Sequence, residues 1–320
     1  MSQSPSSFEI SSYAQEMMCF LGQQLVFEEA SKMLEVMKGV QVNPKQIERV
    51  CHHYGGIIED QLQDEIEAGG SKNYNSNEKE QIHYVMTDGA MFLTREEGWK
   101  EIKMARIFKK EDNVHINQGR KIITKSNYVA HLGSHKEFFP KLEYSIDTLK
   151  SLVFIGDGAK WIWNWANDLY PDSIQILDYY HAAEHLHEFA GIYFSSPDKC
   201  KKWASKQKEK LMEDKVEQVI KTIKNLPTVK ATLKVKKTKK NLMQYLQNNK
   251  KRMLYKTFKE KGLLIGSGAI ESAHRHVLQQ RLKLSGQRWT KPGIQQLANL
   301  RVAYKSNEWG EIVELVKNVA

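Results

Sequence analysis

The spacing of apolar positions divides this chain into regions of different period. Residues 8 to 70 carry the helical one. FEISSYAQEMMCFLGQQLVFEEASKMLEVM repeats apolar residues three and four apart, and Val42-Asn43-Pro44 then breaks the run. Asn43 before Pro44 reads as an N-cap with proline in the first helical position. The next helix, PKQIERVCHHYGG, is expected to be short and to end at its two glycines. Helix, break, short helix is the pattern of a helix-turn-helix and equally of a small helical bundle. The polar stretch GGSKNYNSNEKE, 69 to 80, reads as a linker.

Strand patterns follow. HYVMTDGAMFL (83 to 93) reads as a strand carrying Asp88, WKEIKMARIFKK (99 to 110) as a second, and KIITKSNYVAHLG (121 to 133) as a third. A helix is expected through HKEFFPKLEYSIDTLK. Leu152 to Ile155 make a buried strand that stops at Gly156-Asp157-Gly158, and a tryptophan-rich helix, 159 to 169, comes next. SIQILD (173 to 178) is a further strand, leading into a helix over LDYYHAAEHLHEF. This order predicts an α/β fold with strands of mixed direction flanked by helices. From about 190 to 262 the pattern is helical, rich in lysine and poor in strand signals, which reads as a helical insertion. After it, Gly266-Ser267-Gly268 is a turn opening a last helix, with Ile270, Ala273, Val277 and Leu284 expected on one stripe.

Charge sharpens the view of the insertion. The net charge of +10 is unevenly placed: residues 191 to 262 hold 21 Lys plus Arg against 6 Asp plus Glu, and the remainder 27 against 32. All the basic excess lies in one segment, the footprint of a polyanion partner or of a solvated lysine face. With 320 residues and 41% hydrophobic content, the chain is long enough for one large domain or two to three smaller ones. No apolar run of about 18 residues predicts a membrane span, and MSQSPSSFEI lacks the blocks of a signal peptide. Cys19, Cys51 and Cys200 stand far apart with no C-x-x-C, which argues for reduced thiols in a cytoplasm and against a cysteine zinc ribbon.

Two chemistries compete. His181, Glu184 and His185 are spaced H-x-x-E-H, which on a helix places both imidazoles on one face for a zinc ion, with Glu184 as general base. Three acids offer the other. Asp88 lies on the first strand, Asp157 at the carboxyl end of the fourth, and Glu271 in the first turn of the late helix, where the dipole favours a carboxylate. Function gathers at strand carboxyl ends in open α/β sheets, and the divalent ions of phosphoryl transfer take carboxylate oxygens. GDGAK around Asp157 is not a G-x-G-x-x-G dinucleotide fingerprint. Trp161 and Trp165 share a helix face and read as packing residues. Arg275, one turn after Glu271, could hold that carboxylate or touch a phosphate. His52 and His53, beside Cys51, have no metal-ligand spacing.

The motifs VMTDGAMF, FIGDGAKWIW, ILDYYHAAEHL and IGSGAIESAHRHVLQQRLKLSGQRW resemble those of DDE transposases from bacterial insertion sequences, of the ISLre and ISKra kind related to mutator-like transposases. The resemblance covers roughly residues 10 to 310. It implies an RNase H-like core interrupted by a helical insertion, with Asp88, Asp157 and Glu271 as the catalytic acids holding two Mg²⁺ (or Mn²⁺) ions. It implies that water attacks the strand at the element end and that the released 3′-hydroxyl attacks target DNA. A D-x-x-H motif after the second aspartate matches Asp178 and His181, which places them beside the site, with Arg275, and makes Glu184 and His185 coincidental. Lys234, Lys236, Lys237, Lys239 and Lys240 of the insertion, and Arg281, Lys283, Arg288 and Trp289, are the expected DNA contacts.

The expected organisation is therefore a helical N-terminal region (1 to 75), the first part of the core (76 to 190), a basic helical insertion (191 to 262) and a C-terminal part of the core with the catalytic glutamate (263 to 320). The implied partners are the element's terminal repeats and target DNA, with a homo-oligomer assembled on DNA, no membrane, and a bacterial cytoplasmic, nucleoid-associated location. Family members often carry extra cysteine-rich N-terminal sequence, so the alternative is a shortened or inactive transposase-derived DNA-binding protein. The zinc peptidase is a third reading.

Overall fold

The computed structural model describes residues 10–117, 120–228 and 232–320. In chain order the helices and strands are α1 (Ser12–Gln24), α2 (Phe27–Lys38), α3 (Pro44–Glu67), α4 (Ser76–Glu80), β1 (Ile82–Thr94), β2 (Gly98–Lys109), β3 (Asn113–Asn117), β4 (Arg120–Ile123), β5 (Asn127–Leu132) and α5 (His135–Ile146). Then come β6 (Ser151–Gly156), α6 (Lys160–Leu169), β7 (Ile174–Leu177), α7 (Tyr179–Tyr193), α8 (Pro197–Met212), α9 (Val216–Lys224), α10 (Leu233–Asn249) and α11 (Tyr255–Glu260). The chain closes with α12 (Gly268–Ala273), a π-helical turn over His274–Gln279, α13 (Gln280–Leu282), α14 (Lys291–Lys305) and α15 (Trp309–Val319). These elements form two compact units, one of residues 1–151 with 270–320 and the other of residues 152–269. Their strands run in mixed directions and are flanked by helices, so the fold is the expected mixed α/β class. The all-helical run α8–α11 stands where the insertion was expected.

In the first unit β2 lies between β1 and β5, antiparallel to both, with Asp88 opposite Met104 and Met104 opposite Ala130. Val85, Met86, Ile102, Met104, Ala105 and Ile107 are buried, and because neighbours such as Val85 and Met86 point to opposite sides, both faces of these strands are covered. The expected third strand is in fact two. Thr124, whose N–H donates to the Asp112 carbonyl (2.9 Å), ends a short outlying ribbon of β3 and β4, and only β5 joins β2. The stretch expected to be a linker contains α4, closed by a capping box between Asn75 and Glu78.

Asn43 caps α3 with Pro44 at its first turn, as its sequence predicts. The helix does not stop at Gly55-Gly56, however, but runs on to Glu67. The reason is tertiary. A Cβ at Gly55 would run into the backbone of Gln296 on α14, so the glycine lets two helices approach closely. Asn299 Nδ2 donates to the Gly55 carbonyl (3.0 Å) across the same contact. Each mid-helix glycine costs about 1 kcal/mol against alanine, and the packing of α14 offsets it.

The late helix also departs from expectation. Ile270, Ala273 and Val277 are buried, but Leu284 lies beyond α13 and is 41% exposed. The π turn shifts the stripe. Its widened ring leaves carbonyls out of the regular ladder, and the buried Arg301 guanidinium takes those of His276 (2.7 Å) and Val277, together with Gln23 O (2.6 Å).

In the second unit β6 and β7 are parallel, with Gly156 paired to Leu177. Ile162, Trp163, Trp165 and Ala166 of α6 are buried, so Trp163 and Trp165 are core and Trp161 is half-exposed. Helices α8 and α10 pack on α7. Their core is narrow: Leu186, Phe189, Leu211, Val219, Ile223 and Leu246 are buried while most of the lysines face outward. In the stretch KATLKVKKTKK, residues 230–231 lie outside the described residues, and Val235 is its one buried described residue. No helix among the described residues is long and apolar enough to cross a membrane.

Candidate active site

Two acids sit side by side in the second unit. The paired residues Gly156 and Leu177 end parallel neighbouring strands, so Asp157 and Asp178 leave the carboxyl edge together, and the Asp178 N–H donates to the Gly156 carbonyl (2.8 Å). This is where helix-flanked parallel strands gather ligands. The two carboxylates differ in what surrounds them. Asp157 Oδ1 accepts the Ala159 N–H (2.9 Å) and its carbonyl accepts Trp163 Nε1 (2.7 Å), while Oδ2 has no partner among the described residues. Asp178 is 1% exposed and saturated. Its Oδ1 accepts the N–H groups of Tyr180 (2.5 Å) and His181 (3.1 Å), capping α7, and its Oδ2 accepts the N–H (2.5 Å) and hydroxyl of Ser267.

The helical segment contributes to this edge. Tyr245 of α10 lies so close to Gly158 that any Cβ there would enter its ring. The Tyr245 hydroxyl is buried without a partner among the described residues. Burial pushes that phenol up, and the charges of Asp157, Asp178 and Glu184 push the same way. Tyr255 behaves alike: its hydroxyl is also unpartnered, and burial, then Tyr245 and Asp178, raise it. Three carboxylates thus bear on one pair of phenols held neutral. A hard divalent cation suits such oxygen donors, and Asp157 keeps one carboxylate oxygen uncommitted among the described residues. Asp178, with both oxygens occupied, is a clamp that joins α7 to the chain before α12.

The H-x-x-E-H histidines find other partners. His181 Nδ1 lies 3.4 Å from Glu184 and His185 Nδ1 3.3 Å from Glu188. The His185 ring packs edge-on against Tyr245, with centroids 4.6 Å apart. Among the described residues, no group of three ligands that could hold a metal includes both histidines, so the third ligand that a zinc peptidase needs does not accompany the pair.

In the first unit Asp88 projects from β1, its Oδ1 accepting the Gly89 N–H (2.7 Å). Gly89 leaves the space that the Glu101 carboxylate occupies. His274 Nε2 lies 4.0 Å from Asp88 Oδ2. Burial lowers this imidazole, against the opposing pull of Asp88, and keeps it neutral. His274 follows Glu271 by one turn on the same helical run, so it ties the helix of Glu271 to the strand of Asp88. Glu271 itself is exposed. Arg275 is exposed as well, with no bond to Glu271 among the described residues.

The expected DNA contacts divide by burial. Lys234, Lys236, Lys237 and Lys240 are exposed on α10, whereas Lys239 Nζ donates to the carbonyls of Lys224 (2.9 Å) and Leu226 (2.6 Å) at the end of α9. Arg288 and Lys283 are exposed, the latter over the rings of Phe92 (5.8 Å) and Trp99 (5.7 Å). Arg281 and Trp289 are core residues, 1% and 8% exposed. Trp163, Tyr245, Ser267 and His274 touch the candidate acids or their neighbours, and the sequence did not single them out for that. Ser267 and His274 lie inside the quoted IGSGAIESAHRH motif, but Tyr245 carries no local signal.

Comparison with known proteins gives three findings. No curated protein matches the chain. Among solved structures the chain is similar to the Drosophila P element transposase strand transfer complex, with 8% identity, 98% of this chain and 82% of that chain covered, and a TM-score of 0.33. The model of UPF0236, described as an uncharacterised protein family, matches residues 24–318. The chain therefore belongs to the UPF0236 family.

Proposed function

We propose that this protein is a DDE transposase: a DNA strand-cleaving and strand-transferring enzyme with an RNase H-like core. The observation that carries the reading is the carboxyl edge of β6 and β7. There Asp157 keeps one uncommitted oxygen, and the neighbouring Asp178 holds Ser267, one residue before the helix of Glu271. On this reading Asp88, Asp157 and Glu271 hold two Mg²⁺ or Mn²⁺ ions, which when bound supply charge neutralisation at phosphate and an activated oxygen nucleophile.

The residues around them position rather than react. Asp178 fixes the start of α7 and, through Ser267, the approach to α12. His274, neutral beside Asp88, can donate one hydrogen bond without adding charge. Tyr245 and Tyr255 keep buried, protonated hydroxyls behind the acid edge, where they add no negative charge beside the carboxylates. Catalysis of this kind rests on orientation and prearranged charge, with no covalent enzyme intermediate. The exposed lysines of α10 would follow the DNA backbone, in support of element ends and target DNA as partners. A non-catalytic DNA-binding protein is the second reading, favoured by the basic excess alone.

The test uses duplex DNA carrying the sequences that flank the gene, incubated with the protein and Mg²⁺ or Mn²⁺. Strand cleavage that needs the ion and is abolished in a folded Asp157→Asn variant supports the proposal. Cleavage unchanged in that variant sinks the mechanism, and DNA binding without cleavage by the wild type favours the second reading.

A further inference from the structure

Arg281 raises a question that the catalytic reading does not answer. It is 1% exposed, and no carboxylate pairs with it among the described residues. Its Nε donates to the Gly22 carbonyl (3.0 Å). Its Cζ lies over two aromatic rings, 4.7 Å from the centroid of Phe27 and 5.1 Å from that of Trp289, and the two rings meet each other edge to face. Cation–π contact holds a guanidinium without using its N–H donors, and both terminal nitrogens lack a hydrogen-bond partner among the described residues. Burial brings the group down to about 10, still charged at neutral pH. A buried, charged, two-pronged donor without an acceptor among the described residues suits an oxyanion.

Arg281 lines a cavity of about 470 Å³ within the first unit, together with Phe27, His52, Arg95, Arg288 and Trp289. That volume lies in the range of small-ligand sites, roughly 300–1,000 Å³. The cavity holds a second orphan: His52 Nε2 is buried without a partner among the described residues, and burial lowers that ring from its ordinary value. The sequence is arranged to admit it, since a Cβ at Gly293 would come within 2.9 Å of the His52 ring. Arg95 and Arg288 are exposed and also line the cavity, and Arg95 Nε donates to the Arg288 carbonyl (3.1 Å). Glu48 is the one acid among the lining residues. Three arginines against one carboxylate leave an excess of positive charge, and the flat rings suit a base.

We propose that this cavity binds a nucleotide of the DNA strand, its phosphate taken by the in-plane fork of Arg281 and by Arg95 and Arg288, with His52 and the aromatic wall beside the sugar and base. The proposal rests on the transposase reading for the source of the nucleotide, and on the unpaired donors for its chemistry. It gives Arg281 a role distinct from a surface contact to a duplex, which its burial rules out.

The experiment is fluorescence anisotropy of a labelled, 5′-phosphorylated single-stranded oligonucleotide, without divalent metal, on full-length protein in an Asp157→Asn background. Binding is then read apart from cleavage, so loss of catalysis and loss of this site cannot be confused. Arg95→Ala and Arg288→Ala should each weaken binding about five- to tenfold and lower the slope of log affinity against log salt by about 0.7, whereas Arg281→Lys, which loses the fork but keeps the charge, should weaken binding about as much with the slope unchanged. Deoxynucleoside monophosphate should compete with the oligonucleotide. Should Arg281→Lys unfold, the two alanine variants carry the test. Unchanged oligonucleotide affinity in the variants would overturn the proposal, as would binding of inorganic phosphate or free nucleotide at this site with no competition against the strand.

Discussion

Ser267 donates both its N–H and its hydroxyl to a single oxygen of Asp178, whose other oxygen caps α7. One buried carboxylate thereby fixes a helix start and the turn that leads to Glu271. Losing the hydroxyl removes one charge-assisted bond, so Ser267→Ala should lower stability by about 2 kcal/mol. Asp178→Ala strands several buried N–H donors and should cost more, about 3–5 kcal/mol. Urea unfolding of both variants reads the difference. Equal, small losses would mean that the clamp is not what holds this turn.

Gly158 exists because Tyr245 is there. Gly158→Ala should cost about 2 kcal/mol through overpacking, and the cost should nearly vanish in a Tyr245→Ala background. A double-mutant cycle by denaturant midpoint measures the coupling. Additive losses would show that the ring does not occupy that space.

The lysines of α10 are separable by role. Lys239 donates to two carbonyls at the end of α9, so Lys239→Ala should lower stability by about 1 kcal/mol. Lys236→Ala and Lys237→Ala should leave stability within about 0.5 kcal/mol yet weaken DNA binding, most at low salt. Thermal melts paired with binding isotherms at two salt concentrations check both halves.

Stability should fall on mild acidification. Burial lowers His83 and His131 in the folded protein. The unfolded chain therefore takes up protons below about pH 6.5 that the folded chain refuses. Each such group steepens the loss by up to about 1.4 kcal/mol per pH unit between its unfolded and folded values. His83→Gln should flatten the slope between pH 7 and 5. A slope unchanged in that variant would place the titration elsewhere.

Much of this molecule was legible in the chain. The stretch HYVMTDGAMFL marked β1, the alternation of WKEIKMARIFKK marked β2, the run Leu152 to Ile155 marked β6, and Asn43-Pro44 marked the start of α3, since each signal is local. What misled was tertiary. Gly55-Gly56 read as a stop because nothing nearby announces the approach of α14, and Leu284 read as core because Arg301, a distant residue, sustains a π turn that shifts the helix face. At the site, Asp157 was visible as an acid ending a strand. The saturation of Asp178 by Ser267 and the arrival of Tyr245 from α10 depend on contacts between residues scores of positions apart, which no periodicity records.

Manganese binding tests the central claim most directly, because it needs no knowledge of the DNA ends. Mn²⁺ titration followed by electron paramagnetic resonance, on wild type and on folded Asp88→Asn, Asp157→Asn and Glu271→Gln variants, reports whether these acids share an ion site. The wild type should bind up to two ions saturably, and each variant should bind more weakly by about tenfold or more. Binding undiminished by all three substitutions would contradict a shared site.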